Sequence, residues 1–265
     1  MKVGRYSLLI IFAVIALFPF YWMIITALSQ TAWIRDPQLF PWPIYFGAIK
    51  EVLLKHPFLR WSANTFVVSI SITLGILFFA SLAAFSFACL RFKGRNLIFY
   101  ALLSTLILPE FLLMIPRFFL VVKFGWINTY WGLIIPCWFS MFYVFLLKQY
   151  FMSIPASILD SARVDGANLW QVYWRLILPI GKPILLTLFV VSFLGHWNQF
   201  LWPVVIIRTR EMQTLTLGMS GFYSTYVTEY NKIMAGSIIS LFPIFIMFIL
   251  FQRHIERGLR MRMKL

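Results

Sequence analysis

Six runs of apolar residues, each long enough to cross a bilayer as a helix, constrain this chain more than any other feature of its sequence. A membrane-spanning helix needs about 20 apolar residues. The runs lie at about 7–29, 63–90, 97–122, 129–149, 183–207 and 233–252. With 62% hydrophobic and 12% charged residues, a soluble fold of 265 residues could not bury this apolar surface. The sequence therefore predicts an all-α integral membrane protein with six transmembrane helices, forming one domain over residues 1–265.

The distribution of basic residues predicts the orientation of the chain. The connections between runs, with the two ends of the chain, fall alternately on the two sides of the membrane. One side holds 14 of the 23 Lys and Arg residues and the other side holds 8, while Arg117 lies inside a run. The richer set includes both ends of the chain, and cytoplasmic loops carry such an excess. We therefore expect both termini in the cytoplasm. The net charge of +15 does not indicate nucleic-acid binding, because the basic residues flank the apolar runs and do not form one patch.

A polar connection at about residues 151–182, between the fourth and fifth runs, contains the residues needed for two short helices. Gly166 permits the left-handed conformation that often ends a helix. Asn168 and Gln171 have the spacing of a capping box, which would start a second helix. We expect Pro179 to end that helix. This second helix would carry an apolar stripe at helical spacing that could lie against the inner ends of the spans. The stripe consists of Leu169, Tyr173, Leu176 and Ile177. On composition alone, this connection is equally consistent with a solvated loop carrying a surface helix.

A motif in this connection resembles the EAA loop of the integral-membrane permease subunits of bacterial ATP-binding-cassette (ABC) importers. An acidic and two small residues are followed by a glycine and then by Leu-x-Leu-Pro, at the family's spacing. Asp160 stands where the family has Glu, and Ser161 stands where it has the first Ala. The resemblance implies that the segment is a cytoplasmic coupling loop for ATPase subunits, through Asp160, Ser161, Ala162, Asp165, Gly166, Ala167, Leu176, Leu178 and Pro179.

Further segments are similar to the maltose-type carbohydrate permeases, and the short N-terminus resembles that of the smaller of their two permease subunits. The similar stretches are 64–65, 91–95, 125–132, 197–203 and 234–236. The resemblance implies a bacterial or archaeal cytoplasmic membrane and import of a sugar or related solute. It also implies the partners of such systems: a second permease subunit, two ATPase subunits, an external solute-binding protein and membrane lipid.

No residue pattern indicates a cofactor or a catalytic centre in this chain. It has no G-x-x-x-x-G-K-[ST] loop for nucleotide phosphates, so we expect ATP and magnesium on the partner ATPase subunits. Cys89 and Cys137 both lie inside apolar runs, without the spacing of metal ligands. We therefore expect no metal site and no enzymatic activity in this chain.

Two charged residues, Glu110 and Arg117, lie inside the third apolar run, where an unpaired charge costs several kcal/mol. Seven helical positions separate them by ~10 Å, too far for a direct pair unless Pro109 and Pro116 kink the helix. They could pair with the partner permease or lie at an interface. Alternatively, Glu110 could line the translocation path and bind sugar hydroxyls, with Arg117 anchoring a gate.

Trp197, Asn198 and Trp202 form a second candidate for the translocation path, in the fifth run. An aromatic ring beside an amide suits a sugar, which has apolar C–H faces and hydroxyl edges. A Trp near the membrane boundary is also a common lipid anchor. Both interpretations stay open on the sequence.

Other functional classes are less well supported by the residues. An ion- or proton-coupled secondary transporter is the main alternative, although it normally requires several intramembrane carboxylates or an internal repeat. A membrane enzyme would require paired carboxylates, a metal cluster or a nucleophile with its base. The sequence shows neither set.

Overall fold

The computed structural model describes residues 2–30, 39–223 and 229–262, and in these ranges the regular structure is entirely helical. Helices dominate because a backbone in lipid must satisfy its hydrogen bonds internally. The α-helices are α1 Lys2–Ala27, α2 Gly47–Lys55, α3 Phe58–Cys89, α4 Arg95–Leu103, α5 Glu110–Lys123, α6 Tyr130–Ile134, α7 Met141–Met152, α8 Ala156–Val164, α9 Leu169–Val172, α10 Leu178–Ile180, α11 Lys182–Trp197, α12 Leu201–Ile206, α13 Leu215–Ser220 and α14 Tyr230–Arg262. The predicted all-α class is confirmed for the described residues.

Four helices are long and apolar enough to cross a membrane, and the number rises to six if each of two bent helix pairs counts as one span. The four are Tyr6–Ala27, Phe58–Cys89, Leu169–Trp197 and Tyr230–Leu250. The bent pairs lie in the third and fourth predicted runs. Backbone contacts group the chain into two compact units, Met1–Asn64 with Gln213–Phe245 and Thr65–Met212 with Ile246–Leu265. The single-domain organisation stays a prediction.

The third run, predicted at 97–122, is not one continuous helix. It consists of Arg95–Ile107 and Glu110–Lys123, which meet at an angle of 104°. The break falls at Leu108, whose φ of −74° and ψ of 128° are extended, because Pro109 excludes the helical conformation from the preceding residue. The fourth run bends by 43° between Tyr130–Cys137 and Met141–Met152.

The second helix of the polar connection continues directly into the run predicted at 183–207, because one helix extends from Leu169 to Trp197. Pro179 does not end that helix. A π-helical segment, Tyr173–Ile177, precedes it, and Leu178 N–H bonds to Tyr173 C=O. This altered hydrogen-bond register accommodates a residue without an N–H. The loop boundary at 182 stays a prediction.

The unit that contains Thr65–Met212 has an apolar core built from α3, α4, α7 and the helix from Leu169. Its buried side chains include Phe85, Leu147, Phe151, Tyr173 and Ile177. Small residues of α3 permit close packing here, since Ala80 and Ala84 are buried. This core lies directly behind the polar connection.

In the other unit, α2 is fixed to the beginning of α14. Lys232 Nζ lies 3.0 Å from Glu51 Oε1 and also pairs with Glu229 at 2.6 Å. A side chain at Gly218 would collide with the ring of Trp61, so α13 approaches α3 closely. These contacts fix α2 and α13 within their unit.

Candidate functional site

The first helix of the polar connection, α8, is largely exposed, and only Leu159 and Ala162 are partly buried. Pro155 precedes it, and none of its residues is buried. Asp160 pairs with Arg163, one turn ahead, at 3.3 Å. Ser161 Oγ donates to Ser157 C=O at 2.9 Å. The acidic and first small residues of the motif therefore stand on an open surface.

A tight corner at Gly166 ends α8. Gly166 has φ +76°, and its N–H bonds to Arg163 C=O at 3.0 Å. The Ala167 N–H bonds to Ala162 C=O at 2.9 Å. These two bonds define a Schellman motif, in which a left-handed residue closes the helix. A Cβ at Gly166 would meet nothing within 4 Å, so the backbone conformation, and not space inside this chain, requires glycine.

The predicted capping box starts the next helix. Asn168 Oδ1 accepts from Gln171 N–H at 2.9 Å, and Gln171 Oε1 accepts from Asn168 N–H at 2.8 Å. The corner from α8 to α9 therefore has a hydrogen-bonded cap on both sides. It is a rigid turn, in agreement with the sequence prediction of two helices bent at a glycine.

One face of the polar connection packs against the apolar core of its unit. Tyr173 and Ile177 are buried, and the Tyr173 hydroxyl bonds to Ser81 Oγ at 2.7 Å. The small and apolar residues of the motif pack against the same core: Ala162, Ala167, Leu176 and Leu178. Leu169 departs from the predicted stripe, because it is more than half exposed.

The opposite face of the connection carries exposed apolar side chains that the sequence reasoning missed. Val164 is 87% exposed, and Trp170 and Trp174 are each more than half exposed. For the two tryptophans, the only sequence signal was that they do not share a helical face with Tyr173 and Ile177. Asp165 and Pro179 are also exposed. The connection therefore combines a seated face with an open apolar and acidic face.

Glu110 and Arg117 are brought together within α5. Glu110 Oε1 lies 4.0 Å from Arg117 Nη1, although seven positions separate the residues. The long side chains lean toward each other along one face of the helix, and Pro116 lies inside it. Both residues also lie within electrostatic reach of Cys137, and Glu110 lies within reach of His196. Three interrupted helical segments thus contribute to one region of their unit.

Of the three candidates in the fifth run, two are packed inside the chain. Trp197 and Trp202 are buried, and Trp202 Nε1 donates to Gly132 C=O at 3.1 Å. Asn198 caps the end of α11, where its amide donates to Leu194 C=O at 3.0 Å, and it is exposed. The geometry therefore gives the tryptophans a packing role and leaves Asn198 open.

The stretch at 125–132, which resembles the maltose-type permeases, forms contacts that the sequence did not indicate. Asn128 has φ 57°, its N–H bonds to Ile206 C=O, and its Oδ1 accepts from Arg208 and Thr209 N–H. Thr129 then caps α6. Asn128 therefore joins the turn before α6 to the end of α12.

Among the described residues, no group of three His, Cys, Asp or Glu side chains could hold a metal ion. The two candidate regions offer an exposed docking surface and an intramembrane polar pair.

Comparison with known proteins identifies the family. Residues 72–261 match the model of the binding-protein-dependent transport system inner membrane component. The arabinooligosaccharides transport system permease protein AraQ of Bacillus subtilis is 35% identical over 76% of this chain and 72% of its own. The sn-glycerol-3-phosphate transport system permease protein UgpE of Yersinia pestis is 33% identical over 95% and 93%.

A lactose transport system permease protein, LacG of Rhizobium radiobacter, is 30% identical over 96% of this chain and 93% of its own. A chain in the crystal structure of a bacterial ABC transporter that imports the acidic polysaccharide alginate superposes with a TM-score of 0.83 and 25% identity, over 95% of both chains. These matches confirm the resemblance to importer permeases drawn from the loop motif. The chain belongs to the family of binding-protein-dependent transport system inner membrane components.

Proposed function

We propose that this protein is a permease subunit of an ABC importer, and that it forms the translocation path together with a second permease. ATP binding and hydrolysis take place on two separate ATPase subunits, and an external solute-binding protein delivers the solute. The solute is a sugar or a related compound, because the relatives are named for arabinooligosaccharides, glycerol phosphate and lactose.

The geometry of the polar connection carries this proposal. Its exposed face offers Asp160, Asp165 and Val164 to a soluble partner, while Tyr173 fixes its other face to Ser81. Because the helix from Leu169 to Trp197 continues into the membrane, displacement of the corner would move the fifth span as a rigid body. ATPase closure would thus be transmitted to the path.

The intramembrane part of the proposal assigns the path to the region around Glu110. Its carboxylate is largely exposed within this chain and can accept hydrogen bonds from hydroxyls of a solute, while Arg117 holds it in place. Asn198 offers a further open amide. Charged groups at membrane depth face protein or water, which favours a path over a lipid-facing surface.

A substitution at Gly166 tests the coupling role. Asn tolerates the left-handed conformation, so Gly166→Asn keeps the corner and adds a side chain to the open face. We expect the reconstituted complex to lose solute-stimulated ATPase activity and uptake by about tenfold, which corresponds to ~1.4 kcal/mol of docking energy.

Gly125 provides the matched control. It closes α5 with the same two-bond motif, has φ +68° and also has nothing within 4 Å of its Cβ position. Gly125→Asn carries the same backbone cost at a different turn and should leave coupling intact. Normal coupling in Gly166→Asn, or equal loss in both variants, would contradict the docking role.

A further inference from the structure

A basic cleft lies at the turn between α3 and α4, and its lining residues belong neither to the polar connection nor to the Glu110–Arg117 pair. It has a volume of about 390 Å³ and is lined by Arg91, Phe92, Gly94, Arg95, Asn96 and Leu97. The left-handed Gly94, with φ +78°, folds the turn back so that its side chains surround a concave surface. The cleft opens to the outside of the protein.

One cation of this cleft, Arg95, is held in place by neutral partners. Arg95 Nη1 donates to Leu90 C=O at 3.0 Å, and its Nε lies 3.4 Å from Asn96 Oδ1. Arg91 and Lys93 are exposed. Arg95 therefore keeps its guanidinium at the cleft while part of its donor capacity remains for another acceptor.

Lys148, from α7, adds a fourth cation. Its Nζ lies 3.5 Å from the ring centroid of Phe99 and within electrostatic reach of Arg95. Arg91 and Arg95 line the cleft, and Lys148 lies within electrostatic reach of Arg95. Among the described residues, none of the ion pairs neutralises these three cations, although repulsion between them is unfavourable.

The rim of the cleft is apolar and continuous with the outer surface of α4. Leu97 is 75% exposed, and Ile98 and Tyr100 are exposed beside it. These residues lie in the segment Arg95–Ile107, which is part of a candidate membrane span. The apolar face therefore adjoins the arginines of the cleft directly.

We propose that this cleft binds an anionic phospholipid, with its phosphate among Arg91, Arg95 and Lys148 and its acyl chains along Leu97 and Ile98. Arginine matches phosphate oxygens with paired donors. The apolar rim selects a lipid over free phosphate or a nucleotide, because only a lipid carries hydrocarbon next to its phosphate. The bound lipid neutralises the cation cluster and fixes the α3–α4 turn against α7.

Binding can be measured on the full chain, purified together with the subunits that accompany it, by native mass spectrometry during titration with phosphatidylglycerol or phosphatidylcholine. We expect preferential retention of phosphatidylglycerol. Arg91→Gln should weaken it about fivefold, and Arg91→Gln with Lys148→Gln more strongly, since each basic residue near a lipid surface contributes about this factor. Arg91 is exposed, so its replacement does not disturb packing.

Lys123→Gln is the matched control. It removes an exposed lysine at the end of α5, which does not line the cleft, and the variant should retain the lipid as the unaltered protein does. Equal retention of the two lipids, or equal loss in Lys123→Gln, would overturn the proposal. Displacement of phosphatidylglycerol by millimolar inorganic phosphate would overturn it in favour of a free-phosphate site.

Discussion

Glu110 and Arg117 show how side-chain length changes a conclusion drawn from helix geometry. Their backbone positions are ~10 Å apart along α5, yet their charged groups approach to 4.0 Å. The sequence reasoning compared backbone positions and required a kink for direct pairing. Long side chains that lean toward each other along the helix close much of that distance.

Substitution of this pair separates a structural role from a path role. Each of Glu110→Gln and Arg117→Gln leaves one charge without its partner at membrane depth, so we expect less assembled protein from either single variant. The double variant should recover assembly, because no charge remains. Uptake per assembled complex should stay low in Glu110→Gln and in the double variant. Normal uptake per complex in Glu110→Gln would exclude Glu110 from solute binding.

The local cap geometry of the polar connection was predictable from the sequence, whereas its contacts with distant residues were not. Gly166, Asn168 and Gln171 act within a few residues of themselves, so their cap geometry follows from spacing alone. The bond from Tyr173 to Ser81 joins residues 92 positions apart and depends on helix packing. Sequence alone does not indicate which serine of α3 faces the connection.

At the scale of the element, α2 shows how one ion cluster fixes a short helix. It has nine residues, and isolated helices of this length are unstable in water. Glu51 accepts from Lys232 of α14 and from Lys55 within α2. The Lys232 hydrogen bond, followed by that of Lys55, lowers the pKa of Glu51.

This shift predicts a pH-dependent contribution to stability. Because the folded pKa of Glu51 lies below its unfolded value, the stabilisation is present above the unfolded pKa, about 4.3. It is lost as pH falls through the lowered folded pKa. We expect Glu51→Gln to lower the melting temperature at pH 7 and to narrow the difference from the unaltered protein near pH 3.5.

Lys55→Gln is the control for this measurement, because its side chain is 71% exposed and such surface pairs contribute about 0–1 kcal/mol. Its melting temperature should stay close to that of the unaltered protein at both pH values. A constant gap between Glu51→Gln and the unaltered protein across the pH range would contradict the assigned ion cluster.

The broken spans mark the limit of prediction for elements. Pro109 and Pro136 were visible in the sequence, but a proline can kink a helix slightly or end it. The sequence does not give the angles of 104° and 43° between the two parts of each run. Apolar length identified the runs, but it did not show whether a proline kinks or interrupts each helix.

For the whole molecule, the superposition with the alginate importer chain extends over 95% of both chains, so the resemblance first seen in separate motifs applies to the complete fold. The membrane location follows from the family. The orientation rests on the distribution of basic residues. This distribution predicts that the polar connection lies in the cytoplasm and that the turn after α5 lies outside.

Cysteine labelling tests this orientation. In a background with Cys89→Ser and Cys137→Ser, we expect a membrane-impermeant maleimide to label Lys123→Cys in intact cells. Ser157→Cys, on the exposed α8, should react only after lysis. Both positions are exposed, so reactivity reports the side of the membrane. The reverse pattern would place the connection on the wrong side for an ATPase.

The π-helical segment Tyr173–Ile177 has a consequence for the angular phase of the fifth span. A π-bulge is equivalent to one extra residue in a regular helix, and one residue rotates an α-helix by about 100°. The angle about the helix axis between the side chains of Trp170 and Phe193 therefore depends on this single inserted residue. The hydrogen bonds of this one turn therefore fix how the part of the helix before Tyr173 is rotated relative to the part after Ile177.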